Sequence, residues 1–495
     1  MTKFINTLAV CFLLISSATF VHGATFKMGT ASVDITPATQ VALTGQSYLR
    51  VSQGVNSPLT ANVLALESQL ETEGDSVIFV SLDICAVTQV LTDAVREKVT
   101  AADSSIDTDK IILSATHAHT APAFEGPALP KWEGLADYSD VVEFVSSRIA
   151  EAVVQAWQNR SPNAEFAWGV DYAGVGFSRR EVYRDGTASL YGKTSRDDFD
   201  HFENVEDHEV GAIFFRNENK KLCAILVNVA CPSQVNEGDK RIDADYWHYV
   251  REDLHKKFGD DVVILAQCSA AGDVSPHYQY HYLSQARSRT LRGFLEGKAG
   301  EMQEIARKIT AAVSSAWEVA EQDWQADVPF QHEYKILKLP MRIVTEAEMK
   351  EAQAGLDRFQ AELDAHPEKT ASEVNYMFFE WYGSIVDRYN EQQANKNPTY
   401  KTPVHVLQLG DLAFCTNQFE LFTDFGIWMK THSPAVQTFV IQLAGAGATP
   451  STYLATKRAV EGGGYSAVIG SNVVSPEGGD QLVRETIDTL RAIWK

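Results

Sequence analysis

Basic residues are scarce in this chain: 43 lysines and arginines face 65 aspartates and glutamates in 495 residues, a formal charge of -22. That balance excludes a nucleic-acid surface, which needs clustered positive charge against phosphate. Cysteines number only six, scattered singly through apolar sequence. If Cys11 leaves with a leader, an odd set remains, Cys85, Cys223, Cys231, Cys268 and Cys415, which is no disulfide framework. Long hydrophobic runs are missing too. The run from Leu8 to Phe20 is shorter than the roughly 20 residues a membrane helix requires, and no later run approaches that length. No internal repeat or low-complexity tract stands out.

What the N-terminus does have is Lys3, the Leu8 to Phe20 apolar core and small residues up to Gly23, the layout of a secretory signal peptide cleaved after Gly23. The chain is therefore expected to be secreted or periplasmic, with no transmembrane segment. Leu8-Ala9-Val10-Cys11 makes a poor lipoprotein box, because the apolar core runs on past the cysteine.

From Phe26 to about Val274, β-like runs alternate with helical ones. Asn62–Glu67, Val77–Leu82, Ile111–Leu113, Ala224–Val229 and Val262–Ala266 read as strands, and Leu91–Thr100, Val141–Trp157 and Tyr246–Phe258 as helices. This alternation predicts an α/β fold, a layered mixed-sheet domain. Between about 278 and 397 the pattern turns to charged amphipathic helices, Ser284–Trp324, Thr345–Ala365 and Ser372–Lys396, with a strand at Tyr334–Leu339, and reads as a long helical insertion. Strands return at Val404–Leu409 and Thr438–Leu443, before a helix from Gly479 to Lys495.

Chemistry-bearing residues collect at the ends of apolar runs. Ile111-Ile112-Leu113 leads to His117 and His119, and imidazole is the commonest metal ligand and proton carrier near neutral pH. Cys231 follows Ala224–Ala230 as either a core thiol or a metal ligand. Gly272-Asp273-Val274-Ser275 follows Val262–Ala266 as either a turn or a ligand-facing loop. Glu420 opens an apparent amphipathic helix, where a carboxylate either complements the helix dipole or serves a site. Tyr453 and Tyr465 flank Gly462-Gly463-Gly464 and either pack or converge on one centre.

Taken in order, Ala31-Ser32-Val33-Asp34-Ile35-Thr36-Pro37, Thr116-His117-Ala118-His119, Gly272-Asp273-Val274-Ser275-Pro276, Gly410-Asp411-Leu412-Ala413 with Glu420, and the Tyr453/Tyr465 pair resemble the neutral (non-lysosomal) ceramidase family in its catalytic domain. The resemblance implies one zinc ion held by His117, Glu420 and Tyr453, with His119 and Tyr465 lining the pocket and Ser275 as the catalytic serine. Arg179, in Phe177-Ser178-Arg179-Arg180, resembles the family's substrate-contacting arginine. Three departures stand out: Cys231 occupies the place of the family's second histidine ligand, His277 replaces an asparagine, and no room remains for the family's C-terminal immunoglobulin-like domain.

The resemblance therefore implies a single ceramidase-like catalytic domain over residues 24–495, a zinc-dependent amidase of sphingolipid metabolism cleaving an N-acyl amide. Its substrate would be a small amphiphilic molecule. Cys231 keeps two roles open, ligand or nucleophile, and with the second comes an alternative, a zinc-cysteine glycoside hydrolase acting on a glycan. A non-catalytic binding protein is the third reading. Whether Ser275 attacks or orients the substrate is open at this level.

Overall fold

The computed structural model describes residues 25–69, 74–126, 129, 132–366, 376–445 and 453–494, so the leader expected over residues 1–23 lies outside the described residues. Eight strands form the large sheet in the order Val263–Cys268, Leu222–Val229, Glu209–Arg216, Ser161–Tyr172, Thr25–Asp34, Thr60–Gln69, Ser76–Leu82 and Ile111–Ala115. Inner neighbours pair antiparallel, whereas the outermost pair at each edge is parallel. A parallel pair needs a crossover, and each has its helix, Tyr246–Phe258 at one edge and Gln89–Ala102 at the other.

The two parallel pairs run in opposite senses along the sheet. Twist of about 20–25° per strand, accumulated across the sheet, swings its edges round toward each other. Ser81 Oγ donates to Ala266 O at 2.7 Å and Ser114 Oγ to Gln267 Oε1 at 2.9 Å, joining the edges. Beyond the strand ends, Ser233 N donates to Thr116 O at 3.1 Å and His119 N to Ser233 O at 3.2 Å. Chain segments from opposite edges thus meet in one place.

A second sheet, ordered Phe330–Pro340, Thr399–Leu409, Leu412–Thr416 and Gln437–Ile441, covers the inner face of the first. The period-two alternation of a strand explains how it serves two cores at once. Phe414 points toward the large sheet, its ring 5.2 Å from that of Phe79, while Ala413 and Cys415 face the helices Thr423–His432 and Pro476–Ile493. On the outer face of the large sheet lie Gln89–Ala102, Tyr138–Gln158, Tyr246–Phe258 and Gly297–Ala320. The architecture is four-layered, α/β/β/α.

Within the stretch 278–397, Gly297–Ala320 belongs to that outer helix layer and Phe330–Pro340 is an edge strand of the second sheet. The helices Glu346–Ala365 and Tyr376–Ala394 pack on each other through Ala352, Tyr382, Ile385 and Val386. Residues 372–375 of the expected third helix lie outside the described residues.

Candidate active site

His117 leaves the strand Ile111–Ala115 with a φ of 67°, a left-handed conformation that a non-glycine residue adopts only when its surroundings impose it. The imposition is visible. Its Nδ1 donates to the carbonyl of Cys85 at 2.8 Å, turning Nε2 toward His119 Nε2 at 3.1 Å and Glu420 Oε2 at 3.4 Å. Burial lowers the affinity of His117 for a proton, but the neighbouring Cys85 and Glu420 outweigh it and hold the pKa well above the ordinary value. His119 goes the other way: burial, reinforced by His117, Arg179 and Arg50, pushes it well below. Burial raises the Glu420 carboxyl, yet His117 and Arg179 win and keep it below its usual range.

Glu420 does not open a helix as expected. It lies in a two-residue strand, Glu420–Leu421, parallel to Tyr453–Leu454, and the helix begins only at Thr423. This pairing sets Glu420 beside Tyr453. Arg179 then ties the group together: its Nη2 donates to Gly272 O at 3.0 Å and Tyr453 OH at 3.2 Å, and lies 3.9 Å from Glu420 Oε2. Tyr465 stands edge-on to Tyr453, ring centroids 6.0 Å apart, and burial followed by Glu420 pushes its phenol up to about 12.

Ser275 sits fully buried in Val274–Ser275, a short strand paired with Phe177–Ser178, the stretch that precedes Arg179. Its hydrogen bonding is directional. Tyr191 OH accepts from Gln234 Nε2 at 2.8 Å and from Arg179 Nη1 at 3.4 Å, so its own hydrogen goes to Ser275 Oγ at 3.1 Å. The Ser275 oxygen also accepts from His277 N at 3.0 Å. With both acceptor positions taken, its O–H is left to donate.

Cys231 stands apart from the imidazoles. Its thiol lies 3.4 Å from Val175 O and 3.8 Å from Pro232 O, and burial raises its pKa well above the ordinary thiol value. The sulfur next to the histidines is Cys85, with Sγ 3.7 Å from His117 Nδ1. Among the described residues, Cys85, His117 and His119 offer ligand atoms within 4.8 Å of one another. The donor set fits zinc: buried imidazole nitrogens, a carboxylate at 3.4 Å, a phenol and a thiol are the N, O and S ligands it accepts.

Sequence reasoning missed four residues of this region. Cys85 counted only as one of the scattered cysteines, although it follows Ser76–Leu82, the parallel neighbour of the histidine-bearing strand. Glu237 lies 3.7 Å from His119 Nδ1 and 3.5 Å from His277 Nε2. Arg50, almost fully buried, donates to His119 O at 2.6 Å and to Glu237 O at 2.7 Å. Tyr191 orients Ser275. The strand-end rule could have found Cys85, whereas no local signal marks the other three.

Residues 26–357 match the family model for the N-terminal region of neutral/alkaline non-lysosomal ceramidases. The chain belongs to that family. It is 27% identical over 158 residues to Neutral ceramidase 2 of Arabidopsis thaliana, and 30% over 116 residues to Neutral ceramidase 1 of the same plant. Those alignments cover 31% and 23% of this chain but only 20% and 14% of the two relatives. The crystal structure of neutral ceramidase from Pseudomonas aeruginosa superposes with a TM-score of 0.68 at 15% identity, over 95% of this chain and 74% of that one. A structure titled as a ceramidase complexed with C2 does so at 0.64, again with 15% identity and 95% of this chain, and 75% of its own. The mixed-sheet fold is thus the neutral ceramidase fold.

Proposed function

We propose that this chain is an exported, zinc-dependent hydrolase that cleaves an N-acyl amide of an amphiphilic substrate. One observation carries the reading: four separate chain segments bring His117, His119, Arg179, Glu420 and Tyr453 into a single buried polar cluster. His117, Glu420 and Tyr453 would hold the metal together with one cysteine sulfur, Cys85 by position or Cys231 by motif. When bound, zinc supplies a Lewis acid and brings the pKa of a water toward about 7.

The remaining work falls to the protein. Arg179, kept charged, fixes the phenol of Tyr453 and the carboxylate of Glu420. Ser275, its acceptor positions filled, donates its O–H to the substrate's carbonyl oxygen as negative charge builds there. His119, neutral at pH 7 by burial, accepts a proton and returns it to the departing amine. Tyr465 lines the way in. Water oxygen ends on the acyl carbon, the C–N bond breaks, and a fatty acid and an amine are released. The lead from Lys3 to Gly23 supports export, and the continuous layers support one domain over residues 24–495.

The test offers the purified, zinc-loaded protein ceramides, N-acyl amino acids and oligosaccharides. Release of fatty acid is expected. Release of sugar alone would replace the amidase with the glycosidase, and bound zinc without turnover would leave a binding protein. His117→Ala should lose both metal and activity, and stoichiometric zinc in that variant removes His117 from the site. Comparing zinc content in Cys85→Ser and Cys231→Ser decides which sulfur matters.

A further inference from the structure

The helix Tyr282–Leu291 has no buried residue. Around it Leu283 is 71% exposed, Leu291 69%, Tyr280 63%, Tyr282 59% and Leu295 56%. Leu283, Arg287 and Leu291 recur at every fourth position and therefore share one face, which looks outward. The half-buried side includes Arg289, 3.6 Å from Glu301 of the helix Gly297–Ala320, and just beyond the helix Arg292 lies 3.7 Å from Glu304. Polar anchors inside and leucines outside invert the usual order of a surface helix. Contiguous apolar exposure of this kind marks an interaction surface.

Charge selects the partner. On a protein of net charge -22, this stretch carries Arg287, Arg289, Arg292 and Lys298 with Glu296 as its only acid between His277 and Lys298. Arg289 and Lys298 face Glu301 and Arg292 faces Glu304, which leaves Arg287, on the outward face, as the cation without an acidic partner among the described residues. Position adds the purpose. Tyr282 and Arg289 line a cavity of about 380 Å³ that Tyr191, Glu237 and His277 also line, and Tyr191 is hydrogen-bonded to Ser275. The exposed helix is the rim of the cavity beside the candidate active site.

We propose that this rim docks on an anionic lipid surface, with the leucines entering the acyl boundary, the tyrosines at headgroup level and Arg287 on a lipid phosphate. A second copy of the chain fits poorly, because two strongly acidic molecules repel and a ten-residue helix offers far less than the roughly 800 Å² per partner of a stable interface. The inference goes beyond the hydrolase reading and does not need it, since its test reads binding rather than turnover.

The full chain is sedimented with phosphatidylcholine vesicles, with and without phosphatidylglycerol. Binding is expected only when the anionic lipid is present. Leu283→Ser/Leu291→Ser should weaken it at least tenfold, and Arg287→Ala about fivefold, one basic residue's share near a charged surface. Both variants should keep the wild-type thermal transition, because these side chains support nothing beneath them. Failure to bind anionic vesicles, equal binding to neutral ones, or undiminished binding by the leucine variant overturns the proposal. Light scattering that shows a dimer dissociated by the leucine substitutions would assign the face to a second copy, which overturns it as well.

Discussion

Ser275 illustrates how a buried hydroxyl is given a direction. Two donors fill the lone pairs of Tyr191, which forces the Tyr191 hydrogen onto Ser275, and a backbone N–H fills the other acceptor position of the serine. Tyr191→Phe removes the middle of this relay and strands the Gln234 and Arg179 donors. The Ser275 hydroxyl then loses its fixed direction, and kcat should fall about 10- to 100-fold, the scale of a misplaced catalytic group. Zinc content should stay at the wild-type level, which separates a positioning role from a metal-holding one. Equal kcat for the two proteins would mean that Ser275 needs no direction. Much of this cluster was visible at residue level beforehand: His117, Glu420, Tyr453 and Arg179 each stand in a motif of several residues. Tyr191, Glu237 and Arg50 do not, because their roles come from contacts across the fold, such as Arg50 reaching backbone carbonyls at His119 and Glu237.

At the level of elements, the site depends on how closely short strands approach. Gly272 lies against the strand Glu420–Leu421, and a Cβ added there would stand 2.3 Å from Glu420 O, backbone against backbone. Gly272→Ala must therefore push Glu420 away from His117 and Arg179. Zinc affinity should drop at least tenfold and activity with it, while circular dichroism stays that of a folded protein; unchanged zinc binding would show that the contact yields elsewhere. Elements were legible in proportion to their periodicity. The helix Tyr246–Phe258 matches its reading at both ends, and Ile111–Leu113, the start of the strand Ile111–Ala115, was clear as an unbroken apolar run. The central strand Ser161–Tyr172 was not, because Pro162, Asn163, Glu165 and Asp171 interrupt its apolar pattern and only its middle is buried. Glu209–Arg216 was missed as well, although all but its end residues are buried. The shift of Glu420 from helix to strand has the same origin: two paired residues are too few to leave a pattern.

Across the whole molecule, the two sheets are clamped by a histidine pair that carries its own pH dependence. His332 lies on Phe330–Pro340 of the second sheet, and its Nδ1 donates to Ser76 O of the large sheet at 2.9 Å. Its Nε2 must then be an acceptor, and His405 Nδ1 donates to it at 2.9 Å. Both rings are neutral in this arrangement, since a proton on His332 Nε2 would confront the His405 N–H. Burial drives both pKa values down, that of His332 to about 4, and Lys110 adds to the effect. A base whose folded pKa is depressed contributes stability that is present above its unfolded pKa, near 6.5, and is lost as pH falls through the folded value. Between pH 6.5 and 4 the His332 contribution amounts to roughly 3 kcal/mol. Asp245 and Asp273, raised by burial to about 7, work in the opposite sense, because a carboxyl with a raised folded pKa gains stability over the same descent. Comparison with His405→Phe separates these contributions, since the aspartates are common to both proteins. The variant should be less stable at pH 7, and its melting temperature relative to wild type should recover as pH falls from 6.5 to 4. A constant difference between the two across that window would show that the clamp does not titrate.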